Sequence, residues 1–148
     1  MKKLVMLLLK ASSLPRFFLF KQKGKKEIHN VSIINLITTP DLYHNTKINI
    51  IGYIGVEFGR DAIYLHKEDY ENGLMINSIE LFLKESQKDD IQYGLNYRYV
   101  ILEGIFDKNS THYNYLFNGC IKEISRIDKW LSRSEIKKIT MDCREVNS

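Results

Sequence analysis

The feature that most constrains this chain is a series of short β-patterned segments that carry glycine inside them. Two of them are KINIIGYIGVEF at residues 47–58 and YRYVILEGIFD at residues 97–107, in which β-branched and aromatic residues dominate. Glycine within a strand is typical of a bulge or a sharp bend, and these segments contain Gly52, Gly55 and Gly104. Because a small closed barrel needs such bends at its corners, the pattern favours a chain that curls into a barrel.

Three more strands of similar composition are predicted at residues 62–66, 75–83 and 115–127. Between them, the polar stretch at 67–73 is predicted as a loop, and the stretch at 84–96 as a loop or a poor helical turn. Short helices are predicted at both ends of the series. Ser32 is a favoured N-cap for a helix that Pro40 ends, and Ser132 and Glu135 have the capping-box spacing that predicts a helix over residues 133–141.

These elements predict a mainly β protein, a small five-stranded OB-like barrel with a short N-terminal helix and a short C-terminal helix. A five-stranded sheet with one helix packed across it is the alternative. The chain has 148 residues, 44% of them hydrophobic, which is enough for one domain with a core and too apolar for overall disorder. Since there is no βαβ alternation and no fixed repeat, Rossmann-like and solenoid folds are excluded.

The basic charge of the chain is confined to its first 27 residues. This arm holds eight Lys and Arg against one Glu, a net charge of +7, whereas residues 28–148 hold 14 basic against 17 acidic residues, a net charge of −3. We therefore divide the chain into an N-terminal arm at 1–27 and an OB-like barrel domain at 28–148. The domain itself lacks the general basic surface of a nucleic-acid-binding protein.

The arm is basic and partly apolar, but it does not match a targeting signal. Its apolar run LVMLLL at residues 4–9 is shorter than the core of a secretory signal and no typical cleavage site follows, so we expect a cytoplasmic protein. A mobile arm and a solvated linker at KQKGKK, residues 21–26, are the simplest interpretations. Weak membrane contact through the aromatic residues at 17–20 is the alternative.

Four segments of the chain resemble a poorly characterised family of bacterial OB-fold-like proteins. They are INLITTPDLYHNTKINIIGYIGVEF, AIYLHKEDYENG, YRYVILEGIFD and GCIKEISRI, which together span about residues 31–130. The stretch YLHKEDYENG is the most distinctive. The resemblance implies an OB-like fold but brings no catalytic residues to these positions.

The densest polar cluster runs from His66 to Asn72 and is the first place to look for chemistry. His66, Glu68 and Asp69 are residue types that ligate metals or transfer protons, yet a single histidine at a strand end lacks the spacing of such a site. We predict instead that Asp69 or Asn72 caps the loop. Because Cys120 and Cys143 also lack metal-site spacing, we expect reduced thiols, no metal or cofactor, and no enzyme.

Tyrosines on the predicted strands are the strongest sign of a binding surface. Aromatic rings on an open β face are how OB folds stack bases, and Arg60 and Arg98 lie close to these tyrosines in the sequence. Tyr97 and Tyr99 are expected on one face and Arg98 on the other. The same residue types serve structural packing and protein interfaces. The tyrosines concerned are Tyr53, Tyr64, Tyr97 and Tyr99.

The sequence thus predicts a non-catalytic OB-fold-like binding module, and two classes of partner remain open. One is single-stranded nucleic acid, bound through the four tyrosines, with the two arginines nearby and the basic arm as an aid. His66, Glu68 and Asp69 are kept as further candidate ligand-binding residues. The other is a basic protein, bound by an acidic immunity or accessory protein that neutralises a toxin.

Overall fold

The computed structural model describes residues 27–57, 59–109 and 116–145, with side chains as far as Met141. Its described part contains six strands, four α-helices and two 3₁₀ turns at Pro40–Leu42 and Met75–Asn77. The strands are β1 Ile28–Asn30, β2 Lys47–Gly55, β3 Ala62–Tyr64, β4 Ser78–Leu81, β5 Arg98–Asp107 and β6 Cys120–Lys129. The helices are α1 Ile33–Thr38, α2 Lys67–Glu71, α3 Glu85–Gly94 and α4 Arg133–Glu145.

Five of the strands close into a barrel. The strand order is β1-β2-β3-β4-β6-β5, and β2 also pairs with β5, so that the sheet from β2 to β5 returns on itself. The pairs β1–β2 and β4–β6 are parallel and the others are antiparallel. A mainly β fold with an OB-like barrel and short helices is therefore confirmed, with β1 as one strand more than the sequence predicted.

The barrel is filled by the inward positions of its strands. Residues at alternate positions of β2 and β5 point inward and are almost fully buried, among them Ile48, Ile50, Val100 and Leu102. Cys120 is also fully buried, as expected of a small core residue. The core residues from helices are Ile33 and Leu36 of α1 and Ile91 of α3.

The predicted starts of the two helices are confirmed by their caps. The Ser32 hydroxyl accepts a hydrogen bond from the Asn35 N–H at 3.2 Å and starts α1, which ends before Pro40. The Ser132 hydroxyl accepts from the Glu135 N–H at 3.3 Å, and α4 then runs four residues past the predicted end, to Glu145. Both helices begin where the local sequence satisfies their first free N–H groups.

Several boundaries differ from the prediction. Residues 67–71 form α2 instead of a loop, because Asp69 in its first turn accepts a hydrogen bond from the His66 N–H at the N-cap. Residues 85–94 form a regular helix, which buries Ile91 in the core. The strand predicted at 62–66 ends at Tyr64, since His66 caps α2. The strand predicted at 75–83 is shortened by the 3₁₀ turn, and the last strand starts at Cys120.

Gly104 lies at the bend that its position in the sequence predicted. The register between β5 and β6 shifts between Glu103 and Ile105, so residues 123–125 of β6 face the single Gly104. Glu123 there adopts a left-handed conformation with φ of 50°. Such a bulge bends the strand and helps the sheet to close.

The predictions for the N-terminal arm fall on residues 1–26, which lie outside the described part of the chain. Within the described part, every helix is too short or too polar to cross a bilayer.

We expect Gly104→Ala to destabilise the barrel. A Cβ at this position would overlap the buried side chain of Ile121 and come within 3.0 Å of the Lys122 carbonyl oxygen. Overpacking of this kind costs about 1–3 kcal/mol, measured as a lower free energy of unfolding in urea. Gly94→Ala at the end of α3 is the matched control, because a Cβ there meets no atom within 4 Å. Equal free energies of unfolding for Gly104→Ala and Gly94→Ala would contradict the close packing of Gly104 against Ile121.

Candidate functional site

An aromatic row crosses the outer face of the barrel. Tyr53 of β2 is the register partner of Tyr64 on β3 and of Tyr99 on β5. Trp130 extends the row, because its N–H donates to the Tyr99 carbonyl oxygen at 2.9 Å. Residues that face each other across adjacent strands lie on one side of the sheet. Strand register therefore brings three tyrosines together, and Trp130, just after β6, lies beside Tyr99. These residues, Tyr64, Tyr53, Tyr99 and Trp130, are the aromatic row.

Tyr70 of α2 covers one end of this row. Its ring centroid lies 5.6 Å from that of Tyr53 and 5.5 Å from that of Tyr64. Gly55 makes room for it, since a Cβ there would come within 2.8 Å of the Tyr70 ring. As a result Tyr53 and Tyr64 are only 5% and 4% exposed. Tyr64 thus has no free ring face for a ligand, unlike the sequence-based prediction.

Tyr97 and Tyr99 remain open to solvent, with 48% and 36% of their surfaces exposed. The Tyr97 ring contacts that of Tyr70 at 5.5 Å, and the Tyr99 ring meets Tyr53 edge to face at 5.5 Å. The Tyr99 hydroxyl accepts a hydrogen bond from the Lys67 N–H at 3.2 Å. Each exposed ring is therefore fixed by a neighbouring ring, and its outer side is free.

Glu57 anchors the phenols at the covered end. The Tyr70 hydroxyl donates to its Oε1 atom, and the Tyr97 hydroxyl lies 3.5 Å from the same oxygen. Burial, reinforced by the hydrogen bond to Glu57, raises the pKa of Tyr70 well above its usual value. Tyr97 reaches this position with a left-handed backbone, φ of 60°.

The exposed rings border a groove of about 240 Å³, the aromatic groove. Its walls combine aromatic side chains with three cations and come from β2, α2, β5 and the β6–α4 junction. The lining residues are Tyr53, Lys67, Tyr97, Arg98, Tyr99, Lys129, Trp130, Ser132 and Glu135. Arg98 was expected opposite the tyrosines but lines the same groove. It is the first residue of β5, directly after the left-handed Tyr97.

Trp130 also borders a second groove of about 500 Å³, the apolar groove. Ile51 of β2 and Ile101 of β5 are register partners on its floor, and Ile51 is 40% exposed. Val31 and Asn30 form its edge beside β1. The two grooves meet at Trp130, so one outer face of the barrel carries both.

The three cations of the aromatic groove have different surroundings. The Lys67 ammonium lies 3.0 Å from the Glu71 carboxylate, and the Lys129 ammonium lies 2.6 Å from the Glu135 carboxylate. Arg98 makes no ion pair with any residue in the described part of the chain. The hydrogen bond with Glu71 raises the pKa of Lys67. The hydrogen bonds from Lys129 and Ser132 lower the pKa of Glu135 to about 2.

The polar cluster at residues 66–72 closes a loop. The buried Asp69 carboxylate accepts hydrogen bonds from the His66 N–H at 3.0 Å and from the Asn77 side-chain amide at 2.7 Å. The Asn72 amide donates to the Glu68 carbonyl oxygen at 2.8 Å. His66 and Glu68 are exposed, and Arg60 lies on the β2–β3 turn, outside the aromatic groove.

Sequence reasoning missed five residues of the aromatic groove: Lys67, Lys129, Trp130, Ser132 and Glu135, the last two of which it named only as a helix cap. Lys67 stands in the polar cluster that the sequence singled out, but its part in the groove depends on α2 folding back onto β2. Trp130 is the single tryptophan of the chain, a residue type often found at binding surfaces, and this was the available signal.

The described residues do not form a metal centre. In the described segments, no three side chains of His, Cys, Asp or Glu lie close enough together to hold an ion. The arrangement that they do form, exposed rings beside a free guanidinium, can stack planar groups and contact an anion.

We expect Asp69→Ala to lower the free energy of unfolding by about 1–3 kcal/mol, because two partly buried hydrogen bonds lose their acceptor. Glu68→Ala is the control, since this side chain is exposed and we expect little change. The measurement is urea unfolding, monitored by circular dichroism. If Asp69→Ala were as stable as Glu68→Ala, the loop-closing role of Asp69 would be wrong.

The raised pKa of Tyr70 predicts a loss of stability in alkali. An unfolded tyrosine ionises near pH 10, whereas folded Tyr70 keeps its proton to higher pH. Its contribution to stability is therefore complete below about pH 10 and decreases as the pH rises further. Tyr70→Phe should be less stable than the wild type near neutral pH, and this difference should narrow above about pH 10. Tyr93→Phe, exposed on α3, serves as the control; parallel curves for Tyr70→Phe and the wild type would refute the prediction.

Comparisons with protein-family models, with curated proteins and with solved structures returned no match to this chain. The bacterial OB-fold-like family that four of its segments resemble therefore stays a prediction. What can be said about function comes from the geometry of the outer barrel face.

Proposed function

We propose that this protein is a non-catalytic module that binds single-stranded nucleic acid in the aromatic groove. The observation that carries the proposal is the grouping of three exposed rings, Tyr97, Tyr99 and Trp130, with Arg98, which has no acidic partner among the described residues. Base stacking on such rings tolerates any sequence and contributes about 1–3 kcal/mol per base. An arginine beside them supplies a phosphate contact.

The shape of the groove favours single strands over duplexes. Its rings lie in a shallow depression of the barrel wall, where an unpaired base can be laid flat against tyrosine or tryptophan. Bases within a duplex are stacked on each other and do not offer their faces. The groove lies on β2, β5 and the end of β6, whereas OB folds commonly bind through the two strands that correspond here to β3 and β4. In this chain α2 and Tyr70 cover the neighbouring surface of β3.

The absence of catalysis is part of the proposal. The carboxylate of the polar cluster that is most buried, Asp69, is engaged by two hydrogen-bond donors that hold the loop. A cytoplasmic location, expected from the interrupted apolar stretch of the arm, belongs to the same proposal.

Protein binding is the second candidate, and the apolar groove is the observation that favours it. Exposed Ile51 and Trp130 on one face are typical of a protein interface, and the net charge of −3 over residues 28–148 would attract a basic partner. In this case the chain would act as an immunity or accessory protein that neutralises a basic toxin.

The test is fluorescence anisotropy of the full chain with labelled oligothymidylate and with a labelled duplex of the same length. We expect Tyr99→Ala and Trp130→Ala each to weaken single-strand binding by about 1–3 kcal/mol, about fivefold to more than a hundredfold. Weaker binding of the duplex is expected from the same stacking argument.

Tyr93→Ala is the matched control, because Tyr93 is 92% exposed on α3 and lies outside the groove. It should bind as the wild type does. If all three variants bound equally, the groove would not be the binding site. If the full chain failed to bind any single strand, nucleic-acid binding would be rejected and protein binding would become the leading candidate.

A further inference from the structure

The cations of the aromatic groove are not equally available to a ligand, and the residue that sets this difference is Glu135 in the first turn of α4. Glu135 Oε1 accepts a hydrogen bond from the Lys129 ammonium at 2.6 Å. Its Oε2 atom accepts from the Ser132 N–H and from the Ser132 hydroxyl, both at 2.9 Å. The capping box thus orients the carboxylate so that one oxygen starts the helix and the other neutralises a lysine of the groove.

The Glu135 carboxylate is ionised near neutral pH. Its hydrogen bonds with Lys129 and Ser132 lower the pKa of Glu135 to about 2. A phosphate that approached Lys129 would therefore also approach a carboxylate held against the same ammonium. The negative charges of the phosphate and of the Glu135 carboxylate would repel each other, so Lys129 contributes little attraction for an anion.

Lys67 is compensated in a similar way by Glu71, one helical turn away on α2. The ammonium and the carboxylate are 3.0 Å apart, and each side chain is 52% exposed. Arg98 differs from both lysines, since within the described residues it has no acidic partner. One cation of the three is left to bind a phosphate without displacing an acid.

We infer that Glu135 is a specificity-determining residue of the groove, which restricts its ligand to a short single strand held by stacking and by one phosphate contact, at Arg98. This inference rests on the proposed function. It names the ligand class more narrowly, because proteins that track a long backbone present several free cations in a row. Here stacking supplies the affinity, and Glu135 keeps the groove from acting as a general polyanion site.

The test is the salt dependence of oligothymidylate binding by full-length variants. Each phosphate contact with a single strand contributes about 0.7 to the steepness of log K against log salt concentration. Arg98→Gln should reduce the steepness by about 0.7, whereas Lys129→Gln should leave it nearly unchanged. Glu135→Gln should increase it by about 0.7, because it frees Lys129. The double variant Lys129→Gln with Glu135→Gln should return to the wild-type value.

The design separates these effects from folding and from the basic arm. Glutamine can replace glutamate in a capping box, so α4 should form in Glu135→Gln, and its circular dichroism and melting temperature check this. The lysines of the arm are present in every variant and cancel in the differences. Lys84→Gln, exposed at the start of α3 and outside the groove, is the control and should not change the steepness.

The outcomes distinguish this inference from the proposed function. Equal losses of steepness in Arg98→Gln and Lys129→Gln, or no increase in Glu135→Gln, would overturn the role of Glu135 while single-strand binding stood. Absence of any binding by the wild type would overturn both. A steeper slope in Glu135→Gln that Lys129→Gln abolishes would support the inference.

Discussion

The pairing of β2 with β5 is the interaction on which the rest of the structure depends. Eight residue pairs, from Lys47–Ile105 to Ile54–Arg98, join two strands that lie about 50 residues apart in the sequence and close the sheet into a barrel. Closure removes the two exposed strand edges and encloses the aliphatic core. The same register sets Tyr53 against Tyr99, so barrel closure also brings together two rings of the aromatic groove.

Packing on the outer face of the barrel buries some of its aromatic rings and leaves others exposed. Tyr70 from α2 lies over Gly55 and buries Tyr53 and Tyr64, which therefore contribute to stability. Beyond its reach Tyr99 and Trp130 stay open. The Tyr99 ring meets that of Tyr53 edge to face, and the Trp130 backbone N–H donates to the Tyr99 carbonyl oxygen. A rigid exposed ring loses little conformational entropy when a planar ligand stacks on it, and this favours binding.

The net charge of this domain does not describe the distribution of charges in the aromatic groove. Residues 28–148 are acidic overall, yet one groove contains three cations, two of them held by carboxylates of the same elements, α2 and the β6–α4 junction. Long-range attraction of a polyanion would be weak for such a domain. Base stacking on the exposed rings and one arginine–phosphate contact act at short range and do not need a basic domain. The charge distribution therefore agrees with the proposed ligand.

The sequence by itself determined the elements whose causes are local. Glycines within β-patterned segments predicted a barrel, and the serine caps predicted α1 and α4, because propensity, bends and capping act over a few residues. It also predicted that Tyr97, Tyr99 and Arg98 matter, but placed Arg98 on the wrong side and counted the buried Tyr64 as accessible. Tertiary structure alone decided that Lys67, Trp130 and Glu135 share a groove with them. These residues come from three separate elements, and only strand register and the folding of α2 onto the barrel bring them together.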